Sequence, residues 1–252
     1  MKQFYLFLSF ILMLSANALQ AQNDTIYFWK GGVLDLKKSI KTADLDSITF
    51  KRPVVAFSNV TIGTQVWALK NLDVTTYRDG TPIPEVKDAT AWASLTTGAW
   101  CYYENSTANG TTYGKLYNWY AVAGIHDNDP NTPNKVLAPT GWHVPTDVEW
   151  TTLTDFLGGE YVAGGKMKAT GTSLWNSPNT DATNSSGFSG LPGGNRINNG
   201  TFFSIGAYGI WWSSSEGVAP YAWGRYLDYN YGHAGRGNYD KRVGFSVRCL
   251  RD

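Results

Sequence analysis

APTGWHVPTDVEWTTLTDFLGG, residues 138–159, reads as a tight turn, a short extended piece and then a helix with both ends written into the sequence. Pro145 precedes Thr146, whose hydroxyl can cap the first free amides of a helix. Glu149 stands three residues on, where its side chain reaches back to the Thr146 amide and completes a capping box. Trp150, Leu153, Phe156 and Leu157 recur at helical spacing and form one apolar stripe. Gly158 and Gly159 end the helix, because glycine enters the left-handed C-cap conformation without a steric cost. One well-signed helix in a chain otherwise rich in Gly, Asn, Thr and aromatics implies an anchor for an irregular, strand-based domain.

The 252 residues suffice for one large domain with a short preamble. Residues 1–21, MKQFYLFLSFILMLSANALQA, carry Lys2, an apolar run from Phe4 to Leu14, and small residues at Ala16, Ala18 and Ala21. That is the layout of a secretory signal peptide cleaved after Ala18 or Ala21; a membrane anchor is the alternative, but the run is shorter than the ~20 residues a spanning helix needs. The first cysteine is Cys101, so no lipid-bearing cysteine stands near either cleavage site. The expectation is an exported protein (periplasmic, secreted or on the cell surface) that is not lipid-anchored.

Cleavage after Ala21 removes Lys2 and leaves 20 basic and 20 acidic residues. A neutral chain without a basic run is unsuited to nucleic acid or an anionic membrane. With 16% charged and 15% aromatic residues, including 11 Trp and 15 Tyr, the composition is that of a β-containing extracellular domain. In an exported chain, Cys101 and Cys249 invite one disulfide, with two buried free thiols as the alternative. The bridge would span 148 positions and be worth ~4–5 kcal/mol in the chain-entropy account.

Outward from the helix, Gln22 to Pro53 reads as a β-prone preamble or linker, with strands at Thr25–Trp29, Val33–Leu36 and Asp46–Phe50. The domain proper is residues 54–252. Val60–Leu72 looks like a hairpin turning at Gly63-Thr64. Gly114–Gly124 places Leu116, Trp119, Tyr120 and Ala123 on one face of a second helix. In HDNDPNTP, residues 126–133, Asp127, Asp129 and Asn131 alternate like the start of a calcium loop, but Thr132 and Ala138 stand where Gly and Glu are required. It reads as a solvated loop, and no metal ligand set or cofactor is expected. Glu160–Ile205 is a long irregular region, of the kind that is usually functional or separately packed. Strands at Gly209–Glu216, Tyr221–Tyr231 and Lys241–Leu250 close the chain; in the last, Val243, Phe245, Val247 and Cys249 alternate toward a buried face.

GTQVWALKNLDVTTYRDGTPIP, CYYEN, YGKLYNWYAV, LAPTGWHVPTDVEWTTL, GFSGLPGGNR, WWSSSE, GRYLDY and GFSVRCLRD, in that order, resemble the Fibrobacter succinogenes major paralogous domain family over about residues 58–252. The resemblance implies an exported bacterial protein with an α+β, C-type lectin-like fold: two helices packed on short antiparallel sheets with a long irregular loop region. WHVPTDVEW and GFSVR also resemble the formylglycine-generating sulfatase-modifying family. That family's chemistry depends on a reactive cysteine pair late in the domain, where this chain has Cys249 alone, so its activity is not carried over.

No enzyme motif stands out. Around Ser189 the sequence GFSGL lacks the second glycine of a nucleophile elbow, and His126, His143 and His233 are scattered. Glu216 and Asp228 fall on neighbouring strands, the one carboxylate pair to weigh for glycoside cleavage. Sugar binding needs an exposed aromatic face with planar polar side chains. Trp211, Trp212, Trp223 and Tyr226, interleaved with Glu216, Arg225, Asp228 and Asn230, are the candidate ligand-binding residues. The expected function is a non-catalytic binding or surface module for a glycan or protein partner, with a structural cell-surface role as the alternative.

Overall fold

The computed structural model describes residues 23–30, 33–41 and 57–252, and the chain divides into two units, Met1–Pro53 and Val54–Asp252. In the first unit, β1 (Asn23–Lys30) pairs antiparallel with β2 (Val33–Lys41), Lys30 opposite Val33. The leader read in residues 1–21 and the β-prone run Asp46–Phe50 lie outside the described residues.

The second unit mixes short helices with small antiparallel sheets. It opens with the hairpin of β3 (Asn59–Ile62) and β4 (Gln65–Ala68), where Gly63 takes a positive φ of 61° in the turn. Asp88 caps α1 (Ala89–Ala93) by accepting from the Ala91 amide at 2.8 Å. Then come β5 (Trp100–Cys101), α2 (Thr107–Tyr113), β6 (Leu116–Tyr117) and α3 (Trp119–Ala123). The single helix expected over Gly114–Gly124 is therefore wrong. Leu116 and Tyr117 are recruited as a strand by Cys101, Trp100 and Phe245. Asn118 starts a new, five-residue helix by accepting from the Ala121 and Ala99 amides at 3.0 and 2.9 Å.

After β7 (Trp142–His143), α4 (Asp147–Phe156) carries the capping box in full. The Thr146 hydroxyl accepts from the Glu149 amide, and Glu149 accepts from the Thr146 amide at 2.8 Å. His143 clasps this turn, its two ring nitrogens at 2.9 Å from Glu149 Oε1 and 2.8 Å from Asp252 Oδ1. Trp150, Leu153 and Leu157 are buried, but Phe156 is 63% exposed, so the apolar stripe is narrower than its spacing suggests.

The region from Glu160 to Ile205 is less irregular than expected: it holds α5 (Glu160–Met167) and the pair β8 (Gly193–Arg196) and β9 (Phe202–Ile205). Five helices, rather than two, stand among the described residues. A three-stranded sheet follows, β10 (Tyr208–Glu216), β11 (Tyr221–Asp228) and β12 (Ala234–Asp240), with β11 central. Finally β13 (Leu250–Arg251) joins a sheet of order β3-β4-β13-β7, tying the end of the domain to its beginning.

The expected closing strand over Lys241–Leu250 begins instead with a turn at residues 241–243, and from Gly244 the chain threads through the middle of the domain to β13. Single bridges hold it: Arg196–Gly244, Tyr117–Phe245 and Trp211–Ser246. Val243, Phe245, Val247 and Cys249 do face one core, with Trp212 and Tyr117. The alternate residues Ser246 and Arg248 are equally buried, at 2% and 1% exposure. Period-2 alternation thus sorts side chains between two interiors here, not between core and solvent. The second core is aromatic: Trp67, Trp150, Phe188 and Trp211 touch with centroid separations from 4.7 to 6.3 Å.

The expected Cys101–Cys249 disulfide does not form. Cys101 sits in a small cluster with Trp92 and Leu116, Cys249 in the main core with Phe245 and Val247, and both are free thiols. Burial pushes each thiol up to about 12, so both are protonated and unreactive at neutral pH. Alkylation under native conditions should label neither cysteine, and alkylation of unreduced, denatured protein should label both. A mass consistent with one disulfide in the denatured, unreduced sample would overturn this.

Several buried cations are matched to carbonyl oxygens and aromatic faces. The Arg196 guanidinium donates to Gly200, Val86 and Lys87 carbonyls at 2.9, 2.6 and 2.8 Å and lies 4.5 Å from the Trp92 ring. Arg248 donates to the carbonyls of Ala68, Leu69 and Phe188 and to Asn71 Oδ1, all within 3.0 Å. Such forks stitch loops to one another and, through Ala68, to the end of β4.

Candidate ligand-binding site

The sheet β10-β11-β12 lies between the two cores, and its register decides the fate of the aromatic candidates. Trp211 pairs opposite Arg225 and Trp212 opposite Gly224, so the two indoles point to opposite faces. Trp211 enters the second core and Trp212 the first, at 1% and 0% exposure. Both leave the set of ligand-binding candidates, because neither ring has a face to offer.

On the Trp211 face, toward the β10–β11 turn, the Arg236 guanidinium stacks on Trp223 at 3.3 Å from the ring centroid. Arg225 and Arg236, opposite each other across the strands, share the Asp147 carboxylate at the start of α4. Arg225 is buried, with Thr151 Oγ1 at 2.6 Å, so it anchors α4 to the sheet. Burial pulls its pKa down against the attraction of Asp147. The hydrogen bond to Asp147 raises that of Arg236.

Glu216 is exposed and paired with Lys241. It stands level with Ala222, whereas Asp228 stands level with Tyr208 at the far end of the ladder. Six residues of strand separate the two levels, roughly 20 Å at ~3.3 Å per residue, against the about 5–9.5 Å between carboxyls that flank a glycosidic bond. These two acids do not form a pair.

The remaining candidates converge. Tyr226, Asp228 and Asn230 occupy the other end of the sheet, on the Trp212 face and in the turn that follows it. The Tyr226 ring lies flat on Gly235 of β12, where a Cβ would come within 2.2 Å of the ring. From it runs a chain of rings: Tyr208 at 6.1 Å, His233 edge-on at 5.7 Å, and Tyr231 stacked on His233 at 5.2 Å. Tyr231 is 56% exposed and Asn230 is exposed beside it. Asp228 is itself buried, at 4% exposure; its Oδ1 accepts from the Asn230 amide at 2.8 Å, so it shapes the turn and leaves the set of groups that can meet a ligand directly. The hydrogen bond to Asp228 also holds the Tyr208 hydroxyl above its ordinary pKa.

Below this turn lies Lys168, at 0% exposure. Burial pushes its ammonium down to about 8, opposed by Asp228 and Asp181, which leaves it a cation at neutral pH. Nothing local in the sequence brings Lys168, Tyr208 and His233 together here. Only strand register brings Tyr208 level with Asp228, and a lysine inside a Gly/Asn/Thr-rich stretch carries no local sign of burial.

The loop at 126–133 spends its acidic groups on its own turns: Asp127 and Asp129 accept from the amides of Asp129 and Asn131 at 3.0 and 2.9 Å. Among the described residues no group of three or more His, Cys, Asp or Glu is placed to hold a metal ion, and no helix is long and apolar enough to cross a membrane.

Fold and site together define a mixed helix–sheet domain that presents a row of aromatic rings at one end of a three-stranded sheet. The chain belongs to the Fibrobacter succinogenes major domain family, whose family model matches residues 60–251. No curated protein and no solved structure matches it significantly.

Proposed function

We propose that this chain is an exported, non-catalytic binding module of C-type lectin-like architecture whose ligand is a glycan. The observation that carries this reading is the continuous row Tyr208, Tyr226, His233 and Tyr231, ending in an exposed ring beside Asn230. Sugar rings present apolar C–H faces that pack on aromatic faces, while neighbouring amide and imidazole groups fix hydroxyls by hydrogen bonds. Export rests on the apolar run and Ala-Asn-Ala of the leader sequence. A protein-contacting structural role is the second reading. It is favoured by Val148, Phe156 and Tyr161 of α4 and α5, exposed at 72%, 63% and 88%.

On a broad glycan array, the purified protein is expected to bind equally with calcium and with chelator. Tyr231→Ala should weaken that binding roughly tenfold without moving the melting temperature, since the ring contributes little to either core. Calcium-dependent binding would place the site elsewhere. A folded sample that binds no glycan would move the assignment to the protein-contacting role.

A further inference from the structure

The Lys168 ammonium donates to three backbone carbonyls, those of Thr180 at 2.6 Å, Asp228 at 2.8 Å and Tyr231 at 2.9 Å. Its proton count matches its acceptor count. The three oxygens come from two segments: Thr180 from the irregular stretch after α5, and Asp228 and Tyr231 from the two ends of the turn between β11 and β12. The Trp175 ring lies 5.6 Å from the same nitrogen. The cage is built around this nitrogen from several sides. Thr180 donates its amide to the Tyr229 carbonyl at 2.8 Å, and Tyr229 donates to the Ala207 carbonyl at 3.0 Å. Gly165 donates to the Gly232 carbonyl at 2.9 Å, and the Asn179 amide group holds the Ala169 and Gly171 carbonyls. Oxygens converging from separate loops are the surroundings of a hard cation. In this protein a side chain of the same chain supplies that cation.

We propose that Lys168 is the positioning residue of the binding site: a resident cation that ties the irregular stretch after α5 to both ends of one turn as a bound metal ion would, and so presets the Asp228–Tyr231 turn. This rests on the binding role assigned above to that turn. The path from Lys168 to the ligand surface is short. Its partners Asp228 and Tyr231 bracket Asn230, and Tyr231 carries the exposed ring stacked on His233. The role predicts a site formed in advance and indifferent to metal ions.

The test uses the full chain with Lys168→Ala, which deletes the ammonium together with a propyl stem, and supplies propylammonium as a diffusible replacement. Hydrogen exchange at the Thr180 and Tyr229 amides is expected to accelerate roughly tenfold or more, with amides of β4 and β10 unchanged. Propylammonium is expected to slow it again; 1-propanol, of the same size and uncharged, is not. Unchanged exchange at Thr180 and Tyr229, or equal rescue by 1-propanol, overturns the proposal.

If Lys168→Ala does not fold, the unmutated chain decides. Its assigned Lys168 ammonium should show protected protons by nitrogen-15 NMR at neutral pH, and fast solvent exchange there would overturn the proposal. Binding of the tightest glycan from the array should fall with the loop's protection and return with propylammonium. Loop loosening with rescue, in a protein that binds no glycan, would sustain the positioning role and refute the glycan reading alone.

Discussion

Replacing Arg248 with methionine is expected to lower the stability of the domain by about 3–5 kcal/mol, and its melting temperature by about 10 °C. Arg248 is 1% exposed, and burial pulls its guanidinium down to about 9. Exchanging a buried ion pair for apolar residues can be neutral, because both charges leave together. That escape is closed at Arg248. Three of its acceptors are the backbone carbonyls of Ala68, Leu69 and Phe188, which no side-chain substitution removes. Methionine leaves them unpaired, those of Ala68 and Phe188 in the buried interior. It also removes one of the two donors to Asn71 Oδ1, leaving Trp211 Nε1 at 2.8 Å. Arg248→Lys should recover little, since a point charge cannot serve a fork whose acceptors lie in different directions. Thermal melts followed by near-ultraviolet circular dichroism are the measurement. An Arg248→Met protein melting within a degree or two of the parent would show that the fork does not hold these loops.

Trp150→Ala should cost as much, about 3–5 kcal/mol, through a different mechanism. Trp150 is fully buried where α4 meets the sheet, packed on Trp67 at 4.7 Å, Phe188 at 5.9 Å and Trp211 at 6.3 Å. Truncation opens a cavity among rings that cannot collapse into it, because each is fixed by its own backbone and by further contacts. Trp150→Phe is expected to cost clearly less than half of this. It keeps most of the packing and removes a buried indole N–H that has no hydrogen-bond partner. Equal losses in the two variants would mean that the orphaned N–H is satisfied, and that ring volume is not the dominant contribution.

Both substitutions fall on stretches whose patterns were legible, though their contacts were not. The capping box around Thr146 and the glycine stop at 158–159 could be read directly, since a cap is made by residues within a few positions of one another. The hairpin turning at Gly63 was legible for the same reason. The helix read over Gly114–Gly124 failed because Leu116 and Tyr117 answer to a strand at Trp100–Cys101 and to Phe245, a demand invisible in their own neighbourhood. Of the candidate site, composition points to Tyr226, Asp228 and Asn230. It points equally to Trp211 and Trp212, which lie in the core.

The sequence by itself determined what short-range chemistry can encode: the α4 caps, the glycine turns, the alternation in the closing segment, the aromatic-rich and charge-poor composition, and the family. The tertiary structure alone decided which alternating face met which interior, that Cys101 and Cys249 stay apart, that Glu216 and Asp228 sit at opposite ends of one ladder, and that Lys168 lies beneath the site. These are matters of long-range register and burial. A residue cannot signal its depth when the atoms that bury it lie many tens of positions away along the chain.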